Sequence, residues 1–251
     1  MKKLFILILF CAVFGYFYYS YKNRKGHVLK IGMMSGWPPF MSINKDGEMI
    51  GFDVDIVEEL RKRIGKQIEI IDGGNLSALF FALENEKIDA IMSGLDVTKK
   101  RKDRYDHIVY VKKPITSVVC ISSFPLGSFV DFLKQNPFVA LESGVSWEPI
   151  LDSYELKNKV YLSSIADMLL HLNTNKVDMM LVDEIQYRRM KNKLENKFIF
   201  MVPIPADFII DGLGIFFNKN SLIKSEVAKT IEQMEADGTI ATLMKKWGLS
   251  E

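Results

Sequence analysis

From residue 28 almost to its end, the chain alternates short apolar runs with segments whose apolar residues recur every three or four positions. That alternation predicts strand, helix, strand, helix, and so an α/β protein with mainly parallel sheets. Leu29–Met33 reads as a first strand. Trp37-Pro38-Pro39-Phe40 breaks it, because two prolines forbid regular helix or central strand and leave an extended loop. Asn44-Lys45-Asp46-Gly47 predicts a turn. Asp53 stands where it can cap a helix with Ile56, Val57, Leu60 and Ile64 on one face. Ile68–Ile71 predicts the next strand, and Asn75 opens a short helix carrying Leu76, Leu79, Phe80 and Leu83. Asp89–Ser93 predicts a third strand with Gly94 directly after it, and Thr98 can cap the basic turn Lys99-Lys100-Arg101.

A second set of elements begins near residue 115. The pattern predicts a helix over Phe129–Gln135, a strand over Pro137–Glu142, and a turn, Ser143-Gly144-Val145-Ser146, into a helix near Trp147. It continues with the strand Val160–Ser163, the helix Ile165–Leu172, and the strand Val177–Val182 ending at Asp183-Glu184. The helix Ile185–Leu194 and the strand Phe198–Val202 complete the set. Two lobes of similar plan are therefore expected rather than one continuous sheet. The strand Leu213–Phe217 and the helices Ser225–Asp237 and Ile240–Trp247 come too late for the second lobe, so they return to the first. Lobe one is then 27–114 plus 208–251, lobe two is 115–207, and the two crossovers form a two-strand hinge. Ligands of open α/β sheets bind outside the carboxyl ends of the strands, which places a site in the cleft between the lobes.

Composition narrows the function classes. The chain holds 33 basic and 31 acidic side chains. Lys2, Lys3, Lys22, Arg24 and Lys25 all fall in residues 1–26, which contain no acid, so the remainder is slightly acidic. A body without a basic run argues against nucleic acid. The apolar stretch Leu4–Tyr21 between these charges reads as a signal peptide or an N-terminal membrane anchor, with Tyr16, Tyr18, Tyr19 and Tyr21 at its outer edge. Export to the periplasm, or to the extracellular face of the cytoplasmic membrane, is expected. Cys11 lies inside the leader, so Cys120 cannot form a disulfide within the body and reads as a buried, inert thiol. His27, His107 and His171 have no metal-ligand spacing, and neither a metal nor a cofactor is expected.

Three loops at strand ends can face the cleft: Trp37–Phe40, Ser93–Arg101, and Ser143–Ser146 with Asp183. A guanidinium near a helix start suits a carboxylate, which makes Arg101 the sharpest candidate. By composition alone, however, Arg101 reads as a solvated helix residue beside Lys99, Lys100 and Lys102. Asp183 can bind an ammonium group or cap the next helix, and the residues leave both open. Trp37 can stack on a ligand, but core coverage is the stronger reading. Gly94 and Gly144 can bring backbone close to a ligand or merely turn the chain.

Taken together, these segments resemble the extracellular solute-binding proteins that serve polar amino-acid ABC transporters, with the type 2 periplasmic-binding-protein fold. The resemblance rests on Leu29–Gly32 through Trp37-Pro38-Pro39-Phe40, and on Gly51-Phe52-Asp53-Val54-Asp55-Ile56. It continues through Ile88–Gly94 with Thr98-Lys99-Lys100-Arg101, Val177-Asp178 to Asp183, Asp237-Gly238-Thr239, and Lys246-Trp247-Gly248. It covers residues 28–249 in order and is weakest around 115–165.

The resemblance implies that Arg101 holds a ligand α-carboxylate, helped by the backbone N–H and hydroxyl of Ser146 in the loop with Gly144. Asp183 takes the α-ammonium, aided by residues around Ser93, Gly94 and Asp96. Trp37 stacks over the ligand side chain and Leu76 floors the pocket. This reading overrides the solvated one for Arg101. Family members usually carry Ser or Thr where this chain has Asp96, and Glu142 adds a second acid nearby, which leans the expectation toward a basic or polar amino acid such as arginine. The implied partners are a free amino acid and an ABC transporter permease in the inner membrane, with the protein acting as a monomer and without catalysis. Two rivals share the fold: a cyclohexadienyl dehydratase-like enzyme with Glu142 as general acid, and a tethered amino-acid sensor.

Overall fold

The computed structural model describes residues 28–112, 117–124, 127–146, 148–194, 197–203 and 211–250. The leader 1–26, Cys11, His27, Trp147, the crossover segments 113–116 and 204–210, and the Cys120 side chain lie outside the described residues.

Twelve strands and nine α-helices are described. In the first half, β1 (Leu29–Met33), β2 (Ser42–Ile43) and β3 (Met49–Ile50) precede α1 (Phe52–Ile64), then β4 (Ile68–Asp72), α2 (Leu76–Glu84), β5 (Ala90–Asp96), α3 (Lys99–Arg104) and β6 (Asp106–Val111). The second half holds β7 (Ser117–Ser122), α4 (Phe129–Leu133), β8 (Val139–Glu142), α5 (Glu148–Ser153), β9 (Lys159–Leu162) and α6 (Ile165–Asn173). It ends with β10 (Met179–Asp183), α7 (Glu184–Met190), a 3₁₀ turn at Lys191–Lys193 and β11 (Phe198–Pro203). The chain closes with β12 (Leu213–Phe217), α8 (Lys224–Ala236) and α9 (Thr239–Lys246).

Two five-stranded sheets result, ordered β4-β1-β5-β12-β6 and β11-β7-β10-β8-β9. Each has the same plan. Three neighbouring parallel strands (β4, β1, β5 and β9, β8, β10) are followed by a reversed strand, β12 or β7, antiparallel to both of its neighbours. The expectation of mainly parallel sheets is corrected by these pairings. The two strands that carry the chain across, β7 and β12, enter their sheets in the opposite sense, so parallel and antiparallel contacts are equally common. β6 lies in the first sheet and β7 in the second, β11 in the second and β12 in the first, so the chain crosses twice as its order implied.

Local chemistry explains the helices. α1 buries Phe52, Ile56, Val57 and Leu60 on one face against the first sheet, starts with Asp53 and Asp55, and ends with Arg61, Lys62 and Arg63 before the left-handed Gly65. Removing a side chain such as Leu60 from that face costs about 2–5 kcal/mol. Side-chain oxygens of Asn75, Thr98, Ser128 and Ser164 each accept a hydrogen bond from a first-turn N–H of the following helix. The expected cap at Asp53 does not form. Asp53 sits inside α1, fully buried, and its carboxylate accepts from the Gly94 N–H at 2.7 Å and the Tyr110 hydroxyl at 2.7 Å. Burial pushes its pKa up to about 7, against the pull of these two donors.

Gly94 lies within β5, not after it, and has φ +60°. A Cβ there would stand 2.4 Å from the Phe40 ring. The geometry gives this glycine a role beside the ligand approach and the chain turn its position left open: it packs directly under the Phe40 ring. Gly94→Ala is expected to cost about 2–4 kcal/mol, from the left-handed backbone and the crowded ring together, read as a lower urea midpoint.

Candidate functional site in the cleft

The turn capped by Thr98 determines where Arg101 points. Thr98 Oγ1 accepts from the Arg101 N–H at 3.3 Å; Lys99 and Lys100 face solvent, and Arg101 turns inward to 8% exposure. Its Nη1 donates to the Asp96 carbonyl at 2.8 Å and its Nη2 to the Gly144 carbonyl at 2.8 Å. Asp96 belongs to the first sheet and Gly144 follows β8 of the second, so one guanidinium spans the two. The rings of Phe80 and Phe216 lie 5.6 and 5.8 Å from it. Burial lowers the Arg101 pKa, while the charges of Asp96 and Tyr105 oppose that shift. The solvated reading of Arg101 is thereby overturned. A guanidinium has five N–H donors, and these two carbonyl bonds leave others for a carboxylate.

Acids gather around it. Asp96 Oδ2 accepts from the Ser146 hydroxyl, a second link between the sheets, and its buried Oδ1 has no partner among the described residues. Burial raises the Asp96 pKa, against the Ser146 hydroxyl and the Arg101 charge. Asp183 ends β10, and its Oδ1 accepts from the Gln186 N–H at 2.7 Å, so the capping role is real. Burial pushes its carboxyl up to about 7, opposed by the Gln186 N–H and reinforced by the charge of Asp96. A third link joins the halves where Gln186 Nε2 donates to the Pro38 carbonyl at 2.9 Å. Glu142, at the end of β8, is buried with Oε2 unpartnered among the described residues, and burial pushes it up to about 7.

The sequence candidates thus separate into two groups. Asp96, Arg101, Gly144 and Ser146 are joined directly by hydrogen bonds, and Asp183 is electrostatically coupled to Asp96. Ser93 is wholly buried and its hydroxyl accepts from the Met34 N–H at 3.0 Å, tying β5 to the end of β1. Leu76 is buried in the first lobe's core, and the half-buried Trp37 packs against the same cluster. A cavity of about 810 Å³ opens beside Arg101, with Phe80, Tyr105, Gly144, Ser146 and Pro149 in its wall. Asp96, Asp183, Trp37 and Leu76 do not line it. A second cavity, of about 530 Å³, has Gly36, Pro38, Ile165, Leu169, Gln186 and Met190 in its wall. Sequence reasoning did not assign Phe80, Phe216 and Gln186 to the site. Phe80 and Phe216 read as ordinary core positions, and only the fold places them against Arg101. Among the described residues no group of His, Cys, Asp and Glu could hold a metal ion, and no helix is long and apolar enough to cross a membrane.

Comparison with known proteins agrees with this architecture. The probable ABC transporter arginine-binding protein ArtJ of Chlamydia trachomatis is 23% identical, with 88% of this chain and 85% of that protein covered. The histidine-binding periplasmic protein of Escherichia coli is 26% identical, with 87% and 86% covered. The arginine-binding extracellular protein ArtP of Bacillus subtilis is 25% identical with both chains fully covered. Among solved structures, a periplasmic binding protein of Salmonella typhimurium described for its high arginine specificity shares the fold with a TM-score of 0.78. It is 21% identical, with 88% of this chain and 99% of that one covered. The arginine-, lysine-, histidine-binding protein ArtJ of Geobacillus stearothermophilus does so with a TM-score of 0.76 and 22% identity, with 90% and 96% covered. Residues 29–250, nearly the whole body with its two sheets and their shared strand plan, match the bacterial extracellular solute-binding proteins, family 3, and the chain belongs to that family.

Proposed function

We propose that this protein captures a free amino acid, basic or polar and arginine foremost, between its two lobes and delivers it to the permease of an ABC transporter. The lobes are residues 27–114 with 208–251, and 115–207. The leader of residues 1–26 exports the chain and, if uncleaved, anchors it at residues 4–21. One observation carries the reading: the buried Arg101 guanidinium, held from the first sheet, touches a carbonyl of the second and retains donors for a carboxylate. In this account Arg101 and Ser146 bind the ligand carboxylate, Asp183 and Asp96 receive the ammonium near Gly94 and Ser93, and the ligand side chain extends toward Trp37 and Leu76. The relatives' names, which specify arginine and histidine, support the choice of ligand class. Ligand contacts to both lobes favour the closed arrangement, so binding shifts the population toward it without covalent chemistry.

The dehydratase rival finds one supporting feature in Glu142, a buried carboxyl titrating near neutrality. Glu142 is not in the wall of the Arg101 cavity, and no base partners it among the described residues. Purified protein is expected to release no aromatic product from cyclohexadienyl acids.

A thermal-shift screen against the twenty amino acids tests the proposal. A ligand present at a hundred times its Kd stabilises by about 2.7 kcal/mol, which for a chain of this size raises Tm by roughly 5–10 °C. Arginine, or another basic or polar amino acid, is expected to produce such a shift. No shift with any of the twenty would contradict it. Poor growth of a deletion strain on limiting arginine would then favour transport over a sensing role.

A further inference from the structure

Two segments of the first lobe, Trp37–Phe40 and Ser93–Arg101, are joined through one residue of α1. The Asp53 N–H donates to the Phe40 carbonyl at 3.1 Å, and the neighbouring Phe52 N–H to the Pro39 carbonyl at 2.8 Å. The Asp53 side chain reaches the other segment, where Oδ2 accepts from the Gly94 N–H at 2.7 Å, while Oδ1 accepts from the Tyr110 hydroxyl at 2.7 Å. Phe52 stacks on the Tyr110 ring with centroids 6.0 Å apart, and Asp53 has no exposed surface. The sheet does not hold this stretch of β5. The β1 ladder meets β5 at Ala90 and Ile91, and the β12 ladder meets it at Ile91, Leu95 and Asp96, with a register shift between. Met92, Ser93 and Gly94 take no register partner in either ladder. Side chains supply what a neighbouring strand would: the Ser93 hydroxyl accepts from the Met34 N–H, and the Asp53 carboxylate from the Gly94 N–H.

We propose that Asp53 is a positioning residue for ligand capture: it fixes the spacing of Trp37–Phe40 against Gly94–Arg101, and so sets ligand affinity without touching the ligand. The inference rests on the amino-acid reading above and deepens it. Each segment carries groups proposed to meet the ligand, Trp37 on one and Gly94, Asp96 and Arg101 on the other. One small ligand can satisfy both only if their spacing holds to a fraction of an ångström. The β1–β5 ladder ends before either segment begins, so strand pairing does not set that spacing. Asp53 does, with its N–H on one segment and its carboxylate on the other. An aspartate suits the task, because two acceptor oxygens on a short stem can take two donors at once. Since the group is fully buried, water cannot replace it. Removing it orphans the Gly94 N–H and the Tyr110 hydroxyl together.

Calorimetric titration with arginine tests the role, with stability read separately by urea denaturation. Asp53→Ala is expected to bind arginine roughly ten- to a hundredfold more weakly than wild type. Asp53→Asn keeps an acceptor oxygen for the Gly94 N–H and should stay within roughly threefold of wild type. Leu60→Ala, further along the same helix, should lower the urea midpoint while leaving affinity within roughly twofold. Wild-type affinity in Asp53→Ala would overturn the proposal. So would a loss in Leu60→Ala equal to that in Asp53→Ala, which would make the effect one of stability alone, and so would a loss in Asp53→Asn as large as in the alanine variant. Should Asp53→Ala not fold, Tyr110→Phe takes its place: it releases one oxygen of the carboxylate and should weaken arginine by roughly threefold or more, and unchanged affinity there would overturn the proposal. Absence of heat from the wild type with arginine, lysine, histidine and glutamine would instead overturn the underlying amino-acid reading.

Discussion

Arg101→Ala is expected to reduce amino-acid affinity by roughly a hundredfold to several thousandfold, because removing one partner of a buried charge pair costs about 3–5 kcal/mol. The guanidinium does two jobs that alanine cannot. In the proposed site it would neutralise the ligand carboxylate where burial disfavours any uncompensated charge, and it bridges the Asp96 and Gly144 carbonyls, one from each half of the cleft. Losing it leaves the ligand carboxylate unpaired and removes a contact that holds the halves together. Arg101→Lys separates these effects. A lysine restores the charge but cannot fork between two carbonyls and a carboxylate, so its affinity should fall between wild type and alanine. Calorimetry measures both variants, with the thermal transition of each unliganded protein as the check on folding. Unchanged affinity in Arg101→Ala would remove Arg101 from the site.

The second large effect concerns stability. Glu142→Gln is expected to stabilise the unliganded protein at pH 8 by as much as about 3 kcal/mol and to leave it nearly unchanged at pH 4.5. The sign follows from the direction of the shift. Burial lifts the folded-state pKa of Glu142 to about 7, above its ordinary value of 4.5. Folding therefore favours the protonated carboxyl, and the stability this group contributes is fully present below 4.5 and lost as pH rises through 7. Glutamine imitates the neutral form at every pH, so the gap between variant and wild type should open between those values. Urea denaturation at a series of pH values measures it. A constant difference across the range would mean that Glu142 titrates in the folded protein as it does in the unfolded chain.

Much of the architecture was legible because it is local. Asn75 and Thr98 are capping residues directly before apolar or basic turns, and both cap as their positions imply. The late strand Leu213–Phe217, following a complete second set, forces the chain back into the first sheet, and it pairs there with β5 and β6. What was not legible depends on partners far along the chain. Asp53 looked like a cap because nothing near it reveals that Tyr110 and Gly94 will reach its carboxylate inside the core. The sense of β7 and β12 is decided by sheet pairing after each crossover, which hydrophobic periodicity does not encode. Arg101 looked solvated among three lysines, because the Phe80 and Phe216 rings and the Gly144 carbonyl that enclose it meet only in the folded chain. Its motif, Thr98-Lys99-Lys100-Arg101, was legible through resemblance rather than through composition.

Three side-chain contacts already join the two halves of the chain: Arg101 to Gly144, Ser146 to Asp96, and Gln186 to Pro38. Two of them use residues proposed to bind ligand. A bound zwitterion would therefore substitute its own ends into an arrangement the protein already makes, which keeps the reorganisation on binding small.

A crystal structure of the protein grown with arginine would test this most directly. Clear density for the amino acid should lie between the lobes, its carboxylate on the Arg101 guanidinium and its ammonium against Asp183. Density for the ligand away from both side chains, or an empty cleft in crystals of a protein shown in solution to bind arginine, would contradict the account.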